Sequence, residues 1–224
     1  MQHSSIFAAL QPPIQHILKG QHLWLSAHRA IYWEEEQALI LADLHFGKTG
    51  HFRKAGIAVP QQVYKEDLQR FVELLQYFHP KKILAIGDLF HSRMNSELEW
   101  FKRWREGFSQ TEFILIKGNH DVLPRPWYAS AGISLIDEEL LLTPFRFTHD
   151  DCDVDREYTF CGHLHPGVVI HGAGRQSLRF PCFYFGENQA ILPAFSRFTG
   201  MANVRPKEGD QVFAVVEDSL LSLT

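Results

Sequence analysis

The sequence predicts an α/β fold in which a parallel core sheet is flanked by helices and faces a second sheet. Between residues 38 and 116, apolar runs alternate with amphipathic stretches in the order strand, helix, strand, helix, strand. That alternation is typical of a parallel sheet whose crossover helices cover its faces. From Ile133 onward the chain changes to short β segments with few helical signals, which indicates a second sheet packed on the first.

The first strands precede this alternation. Two short apolar segments, residues 22–25 and 30–33, come before the continuous apolar run at residues 38–42. Short apolar segments separated by turn residues are typical of antiparallel strands. A run without polar interruption indicates a strand that is buried on both faces. The N-terminal segments therefore lead as antiparallel strands into the first buried strand.

Two amphipathic stretches predict the helices. The first begins at Pro60 and runs to about Phe78, and Pro80 stops it. Its apolar residues recur at i, i+3, i+4 and i+7, which gives one face for the core; they are Leu68, Phe71, Val72 and Leu75. The second begins at a Ser96-x-x-Glu99 capping box. One side of this second helix carries Leu98, Phe101, Arg105 and Phe108.

Eight short β segments are expected after residue 132. They are residues 134–136, 140–142, 145–148, 158–161, 168–171, 177–180, 190–192 and 212–216.

Size and composition limit the function classes. With 224 residues, 45% of them hydrophobic, we expect a single domain covering residues 1–224. The net charge of −4 argues against a protein that coats nucleic acid by bulk electrostatics. No apolar run approaches the roughly 20 residues of a membrane span, and residues 1–20 do not resemble an export signal. We expect a cytoplasmic protein with no membrane association.

The three cysteines lack the spacing of a metal site. Cys152, Cys161 and Cys182 are an odd number and contain no CxxC pair. That pattern argues against a disulfide framework and against a cysteine zinc site. We expect buried free thiols.

Polar residues with metal-ligand chemistry follow the apolar runs. They are Asp43-x-His45, Gly87-Asp88, Gly118-Asn119-His120-Asp121, His149 and Gly162-His163-x-His165. The ends of interior strands are where α/β sheets place their chemistry. Residues two apart at a strand end point to the same side, so Asp43 with His45 and His163 with His165 have chelate spacing.

The donor types favour divalent metals that support hydrolysis. Carboxylates, imidazoles and an amide oxygen suit Mn²⁺, Fe or Zn²⁺ and are unlike a structural zinc site. A central Asp88 could bridge two ions about 3.5–4 Å apart. Two divalent ions would carry more charge than Asp43 and Asp88 neutralise, so the pocket would attract a phosphate. The pKa of a water between the ions would fall to roughly 7, making hydroxide available to attack phosphorus.

Each motif also has an ordinary explanation. Asp43-x-His45 and Gly87-Asp88 taken singly are common turns, and the asparagine after Gly118 tolerates a left-handed backbone. A lone His149 is more often a satisfied core or surface residue. The ordered set, with each member after an apolar run, favours the metal site over these explanations.

The ordered motifs resemble the calcineurin-like metallophosphoesterase superfamily over residues 38 to about 185. The resemblance implies a four-layer αββα sandwich, with two mixed β-sheets flanked by helices. It also implies two metal sites that share Asp88. One would take Asp43, His45, Asp88 and His165, and the other Asp88, Asn119, His149 and His163. His120 would protonate or stabilise the leaving oxygen, and Asp121 would orient its ring.

Further segments resemble nucleases of this superfamily. Residues 87–91 are similar to the turn of double-strand-break repair nucleases, which implies that His91 assists cleavage. Residues 43–48, 179–186 and 192–200 look like the bacterial ligase-associated DNA-damage-response endonuclease subfamily. That likeness implies a DNA substrate, two Mn²⁺ ions (with Fe, Zn²⁺ or Mg²⁺ as alternatives) and association with DNA ligase or helicase repair enzymes. The Asp150-Asp151 pair departs from the subfamily, which usually has glutamate and a nearby proline.

Substrate contacts are expected from the loop after the first ligands. Lys48 and Arg53 lie within plausible reach of a phosphate that flanks the scissile one, although a solvated basic loop has the same composition. Two other functions remain open at this point. One is a phosphatase or a small- or cyclic-nucleotide phosphodiesterase with the same metals, and the other is a non-catalytic scaffold with the same fold.

Overall fold

The computed structural model describes residues 11–46, 61–90, 96–150, 157–172 and 176–223. Three helices lie in these ranges: α1 (Gln61–Phe78), α2 (Ser96–Glu106) and α3 (Arg125–Ser130). The first seven strands are β1 (Ile14–Leu18), β2 (Gln21–Ser26), β3 (Ala30–Trp33), β4 (Ala38–Ala42), β5 (Lys82–Ile86), β6 (Glu112–Ile116) and β7 (Ile133–Ile136). The remaining strands are β8 (Glu139–Leu142), β9 (Phe145–Thr148), β10 (Tyr158–Cys161), β11 (Pro166–His171), β12 (Ser177–Phe185), β13 (Gln189–Ile191), β14 (Ala202–Asn203), β15 (Gln211–Val216) and β16 (Ser219–Ser222).

The first sheet has seven strands in sequence order, β1 to β7. Pairing is antiparallel from β1 to β4 and parallel from β4 to β7. The last residues of the three central parallel strands, Ala42, Ile86 and Ile116, are in register. Because parallel strands end at one edge, the segments that follow β4, β5 and β6 emerge side by side.

The second sheet is also mixed. Seven of its nine strands follow the order β14-β11-β12-β13-β10-β9-β8, and β15 and β16 extend it beside β12. Strand β10 is parallel to both β9 and β13, while β12 is antiparallel to its neighbours. The parallel pair β9 and β10 brings the residues after Thr148 and Cys161 to one edge.

Two apolar cores hold the layers together. Aromatic and aliphatic side chains from both sheets fill the space between them, including Trp33, Ile86, Phe147 and Phe160. A second core lies between the first sheet and the helices, with Phe71 from α1, Phe101 from α2 and Tyr128 from α3. The predicted fold class of two mixed sheets with helices is confirmed. In the described ranges, however, the helices contribute to the core of the first sheet, and the predicted helical layer over the second sheet has no member among them.

Three sequence expectations need correction. The strand at Ile133–Ile136 belongs to the first sheet, where it pairs in parallel with β6, and not to the second. Helix α2 ends at Glu106, before Phe108, and the Arg105 guanidinium donates to the carbonyls of Phe108 and Thr111 beyond the helix end at 2.5 and 2.6 Å. Strand β12 continues through Pro181 to Phe185.

The cysteines and the membrane expectation have separate outcomes. Cys182 is a buried free thiol, as expected, and burial raises its pKa to about 12. Cys161 is disulfide-bonded, so the expectation of a free thiol there was wrong. Cys152 lies outside the described residues. Among the helices of the described ranges, none has the length and apolar content to cross a membrane.

Candidate metal centre

The strand ends of the first sheet place three of the sequence motifs together. Backbone bonds continue the parallel ladder past β4 and β5, with Asp43 N donating to Gly87 O at 3.3 Å and His45 N to Asp88 O at 2.8 Å. Gly87 N donates to Ile116 O at 2.7 Å, which ties the second motif to the end of β6. The Asp43, Asp88 and Asn119 segments therefore form one rim.

The second sheet delivers the other motifs to the same rim. Gly162 N lies 3.3 Å from His149 O, because β9 and β10 are adjacent and parallel. His163 N donates to Asp43 Oδ2 at 2.9 Å, a direct link between the two sheets at the centre. Five scattered segments of the chain thus converge at one place.

One group of possible ligands contains Asp43, His45 and His165. His165 Nε2 lies 3.3 Å from Asp43 Oδ1 and 3.4 Å from His45 Nε2. Ligand atoms about 2.1 Å from a common ion at tetrahedral or octahedral angles are roughly 3.0–3.4 Å apart. The observed spacing therefore fits one divalent ion.

The second group contains Asp88, His149 and His163. His149 Nε2 lies 3.6 Å from Asp88 Oδ1 and 3.2 Å from the side-chain oxygen of Asn119. The His149 and His163 rings are 5.1 Å apart between their centroids. Asn119 is therefore close enough to join this group, and His149 Nδ1, 3.9 Å from Asp43 Oδ1, connects the two groups.

Buried donors and ring orientation test whether metal ions fit. Asp43 is fully buried, yet its Oδ1 accepts no hydrogen bond from the described residues. A buried carboxylate oxygen without a partner is costly unless a cation compensates it. Both His149 and His165 place Nδ1 3.3 Å from a backbone carbonyl, of Ile86 and Gly200 respectively. A carbonyl oxygen at this distance favours the tautomer that carries the proton on Nδ1, and Nε2 is then free to bind a metal.

Backbone strain is concentrated at this rim. Ten non-glycine residues in the described ranges have positive φ, and half of them are predicted ligands: Asp43, His45, Asp88, His163 and His165. Left-handed backbone costs roughly 1–2 kcal/mol for such residues. Strain of this kind typically persists at functional sites because the surrounding structure holds it in place.

Three glycines leave the space that predicted ligands occupy. A Cβ added at Gly87 would overlap the His149 ring, and one added at Gly118 would overlap the Asp88 carboxylate and backbone nitrogen. A Cβ at Gly162 would come within 2.7 Å of Asp43 Oδ2. Each of these glycines belongs to one of the sequence motifs, so the motif glycines are required by close approach between segments.

His120 is placed beside the Asp88 carboxylate. Its backbone nitrogen donates to Asp88 Oδ1 at 2.9 Å, and its Nε2 lies 4.0 Å from Asp88 Oδ2. The side chain is 42% exposed, and its ring centroid is 5.8 Å from that of His45. The imidazole therefore faces both the centre and solvent.

Asp121 makes different contacts from those expected. It is fully buried, and its oxygens accept the backbone N–H groups of Gly118 at 2.9 Å and Phe90 at 3.3 Å. These bonds go to the backbone and not to the His120 ring. Burial raises the pKa of Asp121 to about 7; the N–H of Gly118 opposes the shift and the nearby charge of Asp88 adds to it. Asp121 joins the loops after β5 and β6.

The segment of residues 194–200 supports the first ligand group, a role that sequence reasoning missed. Phe195 N donates to Ala42 O at 2.8 Å, and Ser196 N lies 3.2 Å from Asp43 O. The same segment supplies the Gly200 carbonyl to His165. Its only sequence signal was the likeness of residues 192–200 to the nuclease subfamily.

Three predicted site residues have no structural account. His91, Lys48 and Arg53 lie outside the described residues.

A cavity of about 540 Å³ opens beside the second ligand group. Asn119 and His149 form part of its lining. The lining also carries several carboxylates together with two basic side chains; they are Asp137, Glu138, Glu139, Asp150, Lys117 and Arg146. Acidic groups outnumber basic ones on this side of the centre.

Comparisons with known proteins agree with the geometry. A sequence model of calcineurin-like phosphoesterases matches residues 37–186, a stretch that contains all the predicted metal ligands. The crystal structure of Pseudomonas putida nuclease MPE is similar, with a TM-score of 0.81 and 31% sequence identity. That match covers 94% of this chain and 100% of the other. Curated protein sequences contain no significant match.

Proposed function

Because the chain belongs to the calcineurin-like phosphoesterase family, and is therefore a metal-dependent phosphoesterase, we propose that it cleaves phosphodiester bonds in DNA. The observation that carries the proposal is the pair of adjacent ligand groups around Asp43 and Asp88. Adjacent divalent sites suit in-line displacement at phosphorus. The 31% identical nuclease supports a nucleic-acid substrate.

The proposed ligands are those of the two groups, with Asn119 in the second and Asp88 shared by both. Bound as a pair, divalent ions would neutralise phosphate charge and make hydroxide available at neutral pH. We propose Mn²⁺ for both sites, a cytoplasmic role in DNA repair, and association with ligase or helicase enzymes. These finer assignments rest on the resemblance of the sequence motifs.

The chain's own residues then position and protonate the substrate. His120 is the proposed general acid for the leaving oxygen, because its imidazole is held at the centre and remains accessible. The Asp88 carboxylate accepts a hydrogen bond from the His120 backbone N–H and so fixes the position of the His120 backbone. Asp121 is a positioning residue that holds the His120 loop through Gly118 N.

The decisive test uses purified protein that has been loaded with Mn²⁺. Bis-p-nitrophenyl phosphate and single-stranded and double-stranded DNA should be cleaved, and p-nitrophenyl phosphate should be a poorer substrate. Preference for the monoester would favour a phosphatase. Protein that holds metal but hydrolyses none of these diesters would refute the proposal, and protein that binds no metal would favour a scaffold.

Replacement of His120 by alanine is expected to lower kcat on the order of 10²-fold while both metals stay bound, because one general acid is lost. The loss should be smaller for substrates with a good leaving group such as p-nitrophenolate, since such a group needs no proton. The measurement is kcat on both substrate types, together with metal content. Loss of metal in this variant would instead make His120 a ligand.

Acidification is expected to release the metals. Imidazoles bind metal only when neutral, so protons compete with the metal for the ring nitrogens and occupancy should fall as the pH decreases. Metal content after equilibration at pH 7 and at pH 4.5 measures this. Equal occupancy at the two pH values would contradict a ligand set rich in histidine.

A further inference from the structure

A small pocket beside the first ligand group is lined by two arginines that belong to neither ligand group. Its volume is about 40 Å³, and its lining includes Arg29, His165, Arg197 and Thr199. One water needs about 10–15 Å³ measured in this way, so the pocket has room for roughly three water-sized groups. That room admits the non-bridging oxygens of one phosphate group. Because His165 belongs to the first ligand group, the pocket adjoins the metal centre.

Arg29 is oriented in advance in this pocket. Its Nη1 donates to the carbonyls of Ala194 at 3.1 Å and Ser196 at 3.0 Å. Within the described ranges its Nε and Nη2 groups make no hydrogen bond, and protein does not enclose them. Burial, together with the charges of Arg70 and Arg197, lowers the pKa of Arg29 to about 9, and the charge of Asp67 opposes this shift. A fixed guanidinium with open donors is suited to an anion.

Arg197 adds a second, less constrained charge. Its guanidinium is 43% exposed and lies 3.9 Å from Glu66 and 3.8 Å from Asp218, too far for hydrogen bonds. These two carboxylates are themselves 43% and 59% exposed, so solvent screens them. The donors of Arg197 are therefore available to a ligand.

The buried carboxylate of Asp67 lies near these arginines but does not neutralise their charge. Asp67 is engaged by Arg70, whose Nη2 lies 2.6 Å from Asp67 Oδ1 and also donates to Phe195 O at 2.6 Å. Arg70 and Asp67 are each about 4% exposed. Their pairing leaves the positive charges of Arg29 and Arg197 without a buried counterion among the described residues.

We infer that the pocket formed by Arg29, Arg197 and Thr199 binds a second phosphate group of the substrate, next to the phosphate that is cleaved. This inference rests on the proposed function and identifies the side of the centre from which the substrate chain extends. The cavity beside the second ligand group is lined by more carboxylates than basic side chains, which makes it less favourable for phosphate. Either a bridging phosphodiester or a terminal phosphate has the required chemistry.

The test compares short substrates that differ in phosphate number. A dinucleotide with one phosphodiester has only the scissile phosphate, a trinucleotide adds a bridging one, and a dinucleotide phosphorylated at its 5′ or 3′ end adds a terminal one. In the unmodified enzyme, an added phosphate that reaches the pocket should raise kcat/KM about tenfold, chiefly through KM. A rise in kcat/KM with the trinucleotide alone would show that the pocket binds a bridging phosphate. A rise with the end-phosphorylated dinucleotide would show that it binds a terminal phosphate.

Arg197→Gln should remove most of that gain and, on longer single strands, reduce the dependence of log kcat/KM on log salt by about 0.7, the loss of one phosphate contact. Arg103→Gln is the matched control, since Arg103 is exposed on α2, away from the pocket lining, and the charge change is the same. Thermal unfolding checks that both variants fold. If no added phosphate helps the unmodified enzyme, or if Arg197→Gln keeps the gain, the inference is wrong while the proposed function stands.

Failure of the proposed function is distinguishable from failure of the pocket. If the unmodified enzyme cleaves no phosphodiester, inorganic phosphate can be titrated calorimetrically into protein stripped of metal. Weaker binding by Arg197→Gln than by the unmodified protein and by Arg103→Gln would still support an anion site. Equal binding by all three proteins would overturn it.

Discussion

Replacement of Asp88 by asparagine is expected to lower kcat/KM for bis-p-nitrophenyl phosphate at least about 10³-fold, equivalent to ~4 kcal/mol. The amide keeps the shape of the side chain and one oxygen that can accept His120 N–H, so the fold should survive. It removes one negative charge between the two ligand groups and replaces one ligand oxygen with a nitrogen that carries two hydrogens. Steady-state kinetics and metal titration measure the two consequences.

The control for this variant is Glu106→Gln. Glu106 is exposed at the end of α2, and its substitution removes the same charge from a residue outside both ligand groups. That variant should match the unmodified enzyme in kinetics and metal content. If Asp88→Asn kept full activity and bound both metals with unchanged affinity, Asp88 would not be a shared ligand.

Replacement of Gly87 by alanine is expected to have the second large effect on metal binding, because an added Cβ would overlap the His149 ring. The ring is trapped, since His149 is 3% exposed and its Nδ1 faces Ile86 O at 3.3 Å. The clash with the added Cβ would therefore displace the whole ring, and its Nε2 would leave the position beside Asp88 and Asn119. We expect the second metal to bind at least about 100-fold more weakly, with activity falling in proportion at limiting Mn²⁺. Metal titration followed by activity at saturating Mn²⁺ separates weaker binding from loss of chemistry.

Gly20→Ala separates this steric effect from backbone strain. Gly87 and Gly20 have similar positive φ, +67° and +77°, but a Cβ at Gly20 meets no atom within 4 Å. Both variants should lose about 1 kcal/mol of stability from left-handed strain. Only Gly87→Ala should lose metal, and equal metal affinity in the two variants would show that the His149 position does not depend on Gly87.

The sequence was informative about the site because the predicted ligands lie at strand ends. Asp43 and Asp88 each follow an apolar run that can only be a buried strand, and parallel strands in register must end together. The helical periodicity around Phe71 likewise indicated a helix packed on the sheet, since the apolar face of such a helix must be buried. Patterns with a period and a clear terminus therefore predicted both the sheet core and the placement of its polar residues.

Other features depend on contacts between residues far apart in the chain. No local pattern decides whether the strand at Ile133–Ile136 joins the first or second sheet, because a four-residue strand pairs wherever an edge is open. The role of Asp121 followed from which N–H groups lie within reach once Gly118 and Phe90 are brought together. The support of His165 by Gly200 depends on a backbone carbonyl, which is chemically the same at every residue.

The amino-acid sequence alone determined the fold class, the donor types of the metal centre and the strand ends that carry them, because hydrophobic periodicity and side-chain chemistry are properties of short stretches. Tertiary structure alone decided how the donors divide into two groups, which glycines make room for His149 and Asp88, and where Arg29 and Arg197 meet. These outcomes depend on distances between segments far apart in the chain, and such distances are set only when the two sheets pack together.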